Sequence, residues 1–313
     1  MRRWLFILLI VTLAYPSMIR AQGRTPDEAP PVAPLFFQRA RNAVENERYD
    51  QAVVDLSLFI LFNPRDGRAY YIRGLSYQQL GQLDLAIDDL TRALEYSQHL
   101  PELQASIYAT RAEYYATTGQ VQRAIEDLDA LIAIAPTPEA YANRALLHFS
   151  QAAFADAVSD LDEAISRQDE NHPALFYFRA RAKSELFDDE VAASDYLQWI
   201  IGIGQRTAEQ QQLRPGDSIT LDFAPSLVHS IPFSASVEDT INIVADNVAG
   251  DADPLLVIVD ADGLALIGND ETARSGTSAV ISGFHVPRDG DFNLLVTHSI
   301  SGFNGQVIVR WQD

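Results

Sequence analysis

The sequence predicts a multidomain α + β chain: an all-α superhelical solenoid of repeated helix pairs, followed by an all-β sandwich. Three observations predict it. Alanine recurs at Ala52, Ala86, Ala124, Ala157 and Ala192, with gaps of 34, 38, 33 and 35 residues. An arginine and an aspartate sixteen residues apart recur in the same five copies: Arg39 and Asp55, Arg73 and Asp89, Arg111 and Asp127, Arg144 and Asp160, Arg179 and Asp195. Near Gly204 the composition then changes, from alanine-rich helical periodicity to β-branched residues alternating with polar ones.

The 313 residues are enough for about two domains, and an apolar content of 47% places them in a globular chain. A formal charge of −20 argues against nonspecific binding to nucleic acid or anionic lipid, because neutralising phosphate needs clustered Lys and Arg. With no cysteine there are no disulfides, thiolate metal sites, cysteine nucleophiles or lipid attachment through sulfur.

The chain opens with Arg2 and Arg3, then an apolar run of 11 residues, Trp4 to Ala14, interrupted only by Thr12. Pro16 and Ser17 end it, and Ala21 offers a small residue for cleavage. This is the layout of a secretory signal peptide over residues 1–21. Eleven helical residues rise about 16 Å, too little for the ~30 Å core of a bilayer. The expected location is outside the cytoplasm: extracellular, cell-surface or periplasmic, with no membrane span once the signal is removed. Cleavage also takes Arg20, so the charge of −20 becomes −23. Residues 22–32 are proline-rich and are expected to be a disordered leader.

Residues 33–203 hold the five repeats. Each repeat arginine has an aromatic three residues before it (Phe36, Tyr70, Tyr108, Tyr141, Phe176) and a small residue after it. In the second copy, Tyr70, Gly74 and Tyr77 share one helical face, Gly81 ends that helix, and Ala86, Leu90 and Ala93 share a face of the next. The small residues let the two axes approach closely. Pro64 and Pro136 stop the second helices of copies one and three. One such hairpin cannot bury its apolar face alone, whereas stacked hairpins share a continuous core.

The run of aromatic, small residue, tyrosine, glycine, alanine and closing proline resembles the tetratricopeptide repeat. The stretch AYYIRGLSYQQLGQLDLAIDDLTRAL (69–94) carries it most fully, with 108–136 close behind. The first copy lacks the usual glycine, and the fifth has Lys183 where an aromatic is common. About one extra helical turn is inserted at 97–104. The resemblance implies a non-catalytic protein that holds a peptide or partner helix in a groove lined by the first helix of each pair.

Constant spacing and one-to-one matching suit a structural clasp between the two helices of each repeat. A row of arginines binding anionic ligands is the competing function, and it would not need a matched aspartate. Residues one position after the core aromatic are expected to face the groove: Phe37, Tyr71, Ala109, Ala142 and Tyr177. Arg41 and Arg181 lie one turn further on, and Arg68 lies beside Tyr71. Exposed rings beside arginines suit an apolar side chain and a carboxylate of a peptide, although such rings can also pack between neighbouring first helices. The last helix ends in Tyr196, Leu197, Trp199, Ile200, Ile201 and Ile203, far more apolar than a terminal repeat should be. Something should cover it. Residues 204–213 are expected to be a linker, or to form a short capping helix over Thr207–Leu213, and the following domain is expected to dock there.

In residues 214–313, eight strands are expected: Ser218–Phe223, Ser230–Ser236, Thr240–Asp246, Leu255–Asp260, Leu264–Ile267, Ala279–Phe284, Phe292–Thr297 and Gln306–Trp311. Pro215-Gly216, Asp262-Gly263, Asp289-Gly290 and Asn304-Gly305 mark turns. Short strands at this spacing argue for a β-sandwich. The stretches GDADPLLVIVDADGLALIGNDE (250–271) and VPRDGDFNLLVTHSISGFNGQVIVRW (286–311) resemble the bacterial pre-peptidase C-terminal domain. That resemblance implies a jelly-roll-like, non-catalytic module of secreted proteins, which in relatives binds matrix protein or calcium. No peptidase precedes it here.

Asp251, Asp253, Asp260, Asp262, Asn269 and Asp270 form an oxygen-rich stretch that could serve calcium, the one metal the sequence suggests. Turn chemistry gives the same residues a simpler role. The six histidines show no short ligand spacing. No nucleophile elbow, zinc-protease, phosphate-loop or dinucleotide motif occurs, and Ser275-Gly-Thr-Ser lacks the flanks of an elbow. Two functions stay open. One is a protein- or peptide-binding scaffold. The other is a polymer- or matrix-binding β module, with or without calcium, for which the repeats are a spacer.

Overall fold

The computed structural model describes residues 32–168, 172–186, 189–203, 206–225, 227–270, 278–299 and 304–312. The expected signal peptide, nearly all of the expected leader, and Ser275 to Thr277 lie outside the described residues. The chain divides into two compact units, residues 1–147 and 148–313.

The first unit is helical. It contains α1 (Ala33–Glu45), α2 (Tyr49–Phe62), α3 (Gly67–Gln79), α4 (Leu83–Glu95), α5 (Pro101–Thr117), α6 (Val121–Ile134) and most of α7 (Pro138–Ser150). Pro101 and Pro138 start helices where a missing N–H costs nothing. Asp66 caps α3, its carboxylate accepting from the N–H groups of Arg68 and Ala69 at 3.0 and 3.3 Å. The tight turns inside the hairpins of this unit each hold a left-handed residue. Gly81 (φ 72°) and Gly119 (φ 75°) supply it without strain, whereas Glu47 (φ 57°) supplies it at a steric cost.

Small residues set the helix spacing. A Cβ on Gly74 would lie 3.2 Å from the Ala86 carbonyl oxygen, and one on Gly67 would lie 2.8 Å from that of Ala93. Around these contacts Leu56, Leu90, Ile107 and Tyr114 fill the interior. The repeat arginines lock the hairpins. Arg73 donates twice to Asp89, both at 2.7 Å, and Arg111 donates twice to Asp127 at 2.7 and 2.6 Å. Arg39 meets Asp55 at 3.2 Å. The remaining guanidinium nitrogen reaches the second helix of the preceding repeat: Arg73 to Ser57 at 3.0 Å, Arg111 to Thr91 at 3.1 Å, and Arg144 to Asp129 at 2.6 Å. Arg73 and Arg111 therefore each tie their own hairpin and the one before it. Aromatic rings cover the guanidinium groups, with Tyr70 and Tyr77 at 5.5 and 5.8 Å from Arg73.

The second unit contains α8 (Phe154–Arg167), α9 (Pro173–Leu186) and α10 (Asp189–Ile203), followed by nine described strands. Arg179 repeats the clasp, donating to Asp195 at 2.8 and 2.5 Å and to Asp162 at 2.7 Å, while Lys183 adds a contact to Asp195 at 2.8 Å. Ala152 holds the left-handed turn position here (φ 57°).

The strands are β1 (Arg206–Glu209), β2 (Ser218–Phe223), β3 (Leu227–Ala235), β4 (Ile241–Gly250), β5 (Pro254–Asp260), β6 (Ala265–Asn269), β7 (Ser278–Phe284), β8 (Gly290–His298) and β9 (Gly305–Trp311). They form a five-stranded sheet, β1-β3-β8-β5-β6, and a four-stranded sheet, β2-β9-β4-β7. Phe233, Phe292, Trp311, Leu256, Ile258 and Ile243 fill the space between the sheets. The architecture is a sandwich.

The expected capping helix over Thr207–Leu213 is not formed. Its first residues are strand β1, paired in parallel with β3 from Arg206 opposite Leu227 to Glu209 opposite Ser230. The five-stranded sheet instead covers Tyr196, Trp199 and Ile200 of α10, while Ile201 stays exposed. All seven residues of β5 are buried. Leu256 and Ile258 point into the sandwich, while Leu255, Val257 and Val259 pack with Tyr196, Trp199 and Ile200 of α10. Gly268 on β6 allows this approach, because a Cβ there would lie 3.0 Å from the Tyr196 ring.

Candidate functional site

In the first unit the expected groove residues sit on the first helices at one repeating position. Phe37, Tyr71, Ala109 and Ala142 are all half-buried. Phe37 leans on Phe59 with ring centroids 4.9 Å apart, so part of each ring belongs to the packing. One helical turn further on, the same face carries Arg41, Leu75, Glu113 and Leu146. Arg41 is half-buried, and its Nε is fully buried with no hydrogen-bond partner. Glu113 is also half-buried, and burial alone pushes its carboxyl above the usual range. Sequence reasoning missed Glu113. It stands in the position of Arg41 two repeats later, so the period itself could have found it.

Arg68 is exposed and is tied to Asp66 at 3.3 Å, which leaves it less available than expected. It lines a cleft of about 400 Å³ with Asn63, Pro64, Arg65, Asp66, Gly67, Tyr96 and Leu100. The face thus carries a half-buried cation with no ion pair among the described residues, apolar ring edges, and a carboxylate held partly out of water. It can engage a chain carrying both carbonyl or carboxylate oxygens and an amine.

The second unit corrects two expectations. Tyr177 does not face a groove: it is completely buried, and its hydroxyl donates to Asp270 at 2.6 Å. Tyr196 donates to the other oxygen of Asp270 at 2.8 Å, and Arg181 lies 3.5 Å from that carboxylate under the ring of Phe149. Burial first, and then the Asp270 charge, push both phenols well above their ordinary range. Tyr177 and Arg181 therefore hold the sandwich to the helices. The partner lies 93 residues from Tyr177, beyond the reach of any local pattern.

The oxygen-rich stretch does not converge either. Asp260 accepts from the N–H groups of Asp262 and Leu264 at 3.0 and 2.9 Å, and Arg288 bridges Asp260 and Asp262 at 3.0 and 2.8 Å. Asp253 accepts from Ser299, Asp251 from the Asn304 N–H, and Asn269 donates to Asp189 at 2.9 Å. Asp270 serves the two tyrosines. These residues satisfy turns and the helix–sheet contact separately, and among the described residues no three His, Asp or Glu side chains gather as a ligand set. Nor, among the described residues, is any helix long and apolar enough to cross a membrane.

Clasped helical hairpins of about 34 residues define a helical-repeat protein, here joined to a β-sandwich. Residues 67–99 and 105–138 match the tetratricopeptide repeat family. The chain is 27% identical over 134 residues to human "Tetratricopeptide repeat protein 13", an alignment covering 41% of this chain and 15% of that protein. It is 24% identical over 160 residues to "DnaJ homolog subfamily C member 7 homolog" of Dictyostelium discoideum, covering 51% of this chain and 29% of that one. The chain thus spans less than a third of these relatives' lengths. Among solved structures it is similar to the MamA protein, with a TM-score of 0.50, 15% identity, and coverage of 54% of this chain and 91% of that one. The chain carries tetratricopeptide repeats, and its helical region has their fold.

Proposed function

We propose that the chain is a non-catalytic interaction scaffold whose first-helix face, in residues 33–147, takes an extended peptide or partner helix. The observation that carries this is Arg41, half-buried on the first-helix face and forming no side-chain hydrogen bond or ion pair among the described residues. A half-buried guanidinium with no carboxylate of its own gains a charge-assisted hydrogen bond when a carbonyl or carboxylate binds its exposed edge. Phe37 and Tyr71 would hold an apolar side chain beside it, and Glu113 would meet an amine. Arg68 would serve the rim. The negative charge of the chain favours partners with basic or mixed character over nucleic acid.

The sandwich fits an accessory binding or anchoring module, as its resemblance to the pre-peptidase C-terminal domain implies. Export follows from the run Arg2 to Ala21. N-terminal sequencing of protein recovered from its native host, beginning at residue 22, would support it; an intact Met1 would count against it.

The scaffold reading is tested by selecting peptides from a random display library on the immobilised full chain. Arg41→Ala and Tyr71→Ala should each weaken the selected peptides at least about tenfold, as loss of a charged hydrogen bond or a ring contact does. Unchanged binding by both variants would remove the face from consideration.

A further inference from the structure

Helix α2 carries an apolar stripe that the other second helices lack. Val54 is 54% exposed, Leu61 75% and Phe62 46%, and Leu58 lies between them. The spacing i, i+4, i+7, i+8 puts all four on one face. In the next repeats the positions of Val54 are taken by Asp88 and Glu126, and that of Leu61 in the second repeat by Glu95. The stripe is therefore not required by the repeat, since neighbouring helices keep the same hairpin with charged residues there. Neither the peptide face nor the clasp uses it.

Charge at the two ends indicates what covers it. Asp50 is exposed one turn before Val54, and Arg65 is exposed just past the end of the helix. Among the described residues neither forms an ion pair. If α2 meets a second α2 running antiparallel about a twofold axis between Ser57 and Leu58, Val54 falls opposite Leu61 of the second copy. Leu58 lies beside its own equivalent, and the acidic start of each helix, at Asp50, comes toward the turn that follows the other, where Arg65 stands. The helix is self-complementary in apolar character and in charge, the requirement for an isologous twofold contact. A bilayer fits less well, because one end of the stripe is acidic and the chain carries −20 overall. A single ridge also lacks the walls that grip a peptide.

We propose that this face of α2 is a homodimer interface, an antiparallel helix pair formed by two copies of this chain. The sequence contains no cysteine, so a single introduced thiol reports it cleanly.

The experiment measures the mass of the full chain across a concentration series by analytical ultracentrifugation. The wild type should show a monomer–dimer equilibrium. Leu61→Glu should raise its dissociation constant at least about 30-fold, with unchanged circular dichroism, because it places a carboxylate against Val54 of the other copy in the apolar seam. Asp50→Arg and Arg65→Asp should each weaken it several-fold, and the double reversal should restore it. That restoration distinguishes a specific pair from nonspecific adhesion. Leu58→Cys should form a disulfide-linked dimer on mild oxidation, whereas Asp88→Cys should not. A chain that stays monomeric throughout overturns the proposal. So does a dimer unaffected by Leu61→Glu, or binding to anionic vesicles that Leu61→Glu abolishes while the chain is monomeric.

Discussion

Tyr71 and Tyr177 occupy the same position of the repeat, one residue after the core aromatic, yet they do different work. Tyr71 stays half-buried on the open face of the first unit. Tyr177 is wholly buried and bonded to Asp270 of the sandwich. The repeat fixes where a side chain stands on its helix. What arrives from elsewhere in the chain fixes whether that side chain is a binding surface or a core. Arg41 and Arg181 make the same contrast, the first with a buried donor lacking an acceptor and the second set against Asp270.

The comparison breaks most severely at Asp270. Asp270→Ala would leave two buried phenol hydroxyls and Arg181 without their carboxylate, costing about 3–5 kcal/mol of the second unit's stability. Urea unfolding followed by tryptophan fluorescence should show it, since Trp199 lies 5.4 Å from Tyr177. Tyr71→Ala should cost the first unit about 1–2 kcal/mol, read by urea unfolding followed by far-ultraviolet circular dichroism of the helices.

The clasp separates a buried from an exposed case within one unit. Asp89 is buried and Arg73 is largely covered, so Arg73→Ala should cost about 3 kcal/mol. Arg39 is 50% exposed and makes a single contact at 3.2 Å. Arg39→Ala should cost no more than about 1 kcal/mol, discounted for solvent screening, although it exposes the buried Asp55 to water.

Smaller still, Glu47→Gly should stabilise the chain by about 1 kcal/mol, because Glu47 holds a left-handed turn that Gly81 and Gly119 occupy freely. This change leaves the open face untouched, so peptide binding should not move with the thermal midpoint.

Glu113→Gln sharpens the description of the open face. Burial raises the Glu113 carboxyl in the folded chain, so the folded state holds its proton more tightly than the unfolded state does. Stability from this group is present below the ordinary glutamate range and is lost as pH rises through the raised value. Glu113→Gln should therefore raise the midpoint at neutral pH and lose that advantage near pH 4. His229 runs the other way. Burial lowers it, its Nε2 donates to the Asp222 carbonyl at 3.0 Å, and its stability is lost as pH falls below the ordinary histidine range.

Most of the framework was legible because its signals are local. The alanine period and the sixteen-residue arginine–aspartate spacing each come from one hairpin, and alternating strands such as Ser218–Phe223 declare themselves. Strand β1 did not, since four residues with no buried side chain pair only through their backbone with β3. The second set of arginine contacts was hidden for a different reason. Ser57, Thr91, Asp129 and Asp162 precede their arginines by 16, 20, 15 and 17 residues, and they differ in chemistry. The period placed Phe37, Arg41 and Tyr71 on one face of the first helices, where they are half-buried. It failed at Tyr177 and Arg181 because a partner across 93 residues leaves no mark on periodicity.

The central contrast is most directly tested by nitrating the native full chain with tetranitromethane and mapping each modified tyrosine by mass spectrometry. The reagent needs an accessible phenolate, so burial and a raised phenol range act together. Tyr71 should react, while Tyr177 and Tyr196 should stay protected by at least about 100-fold until the chain unfolds. Nitration of Tyr177 at the rate of Tyr71 would contradict the division of one repeat position into an open face and a filled one.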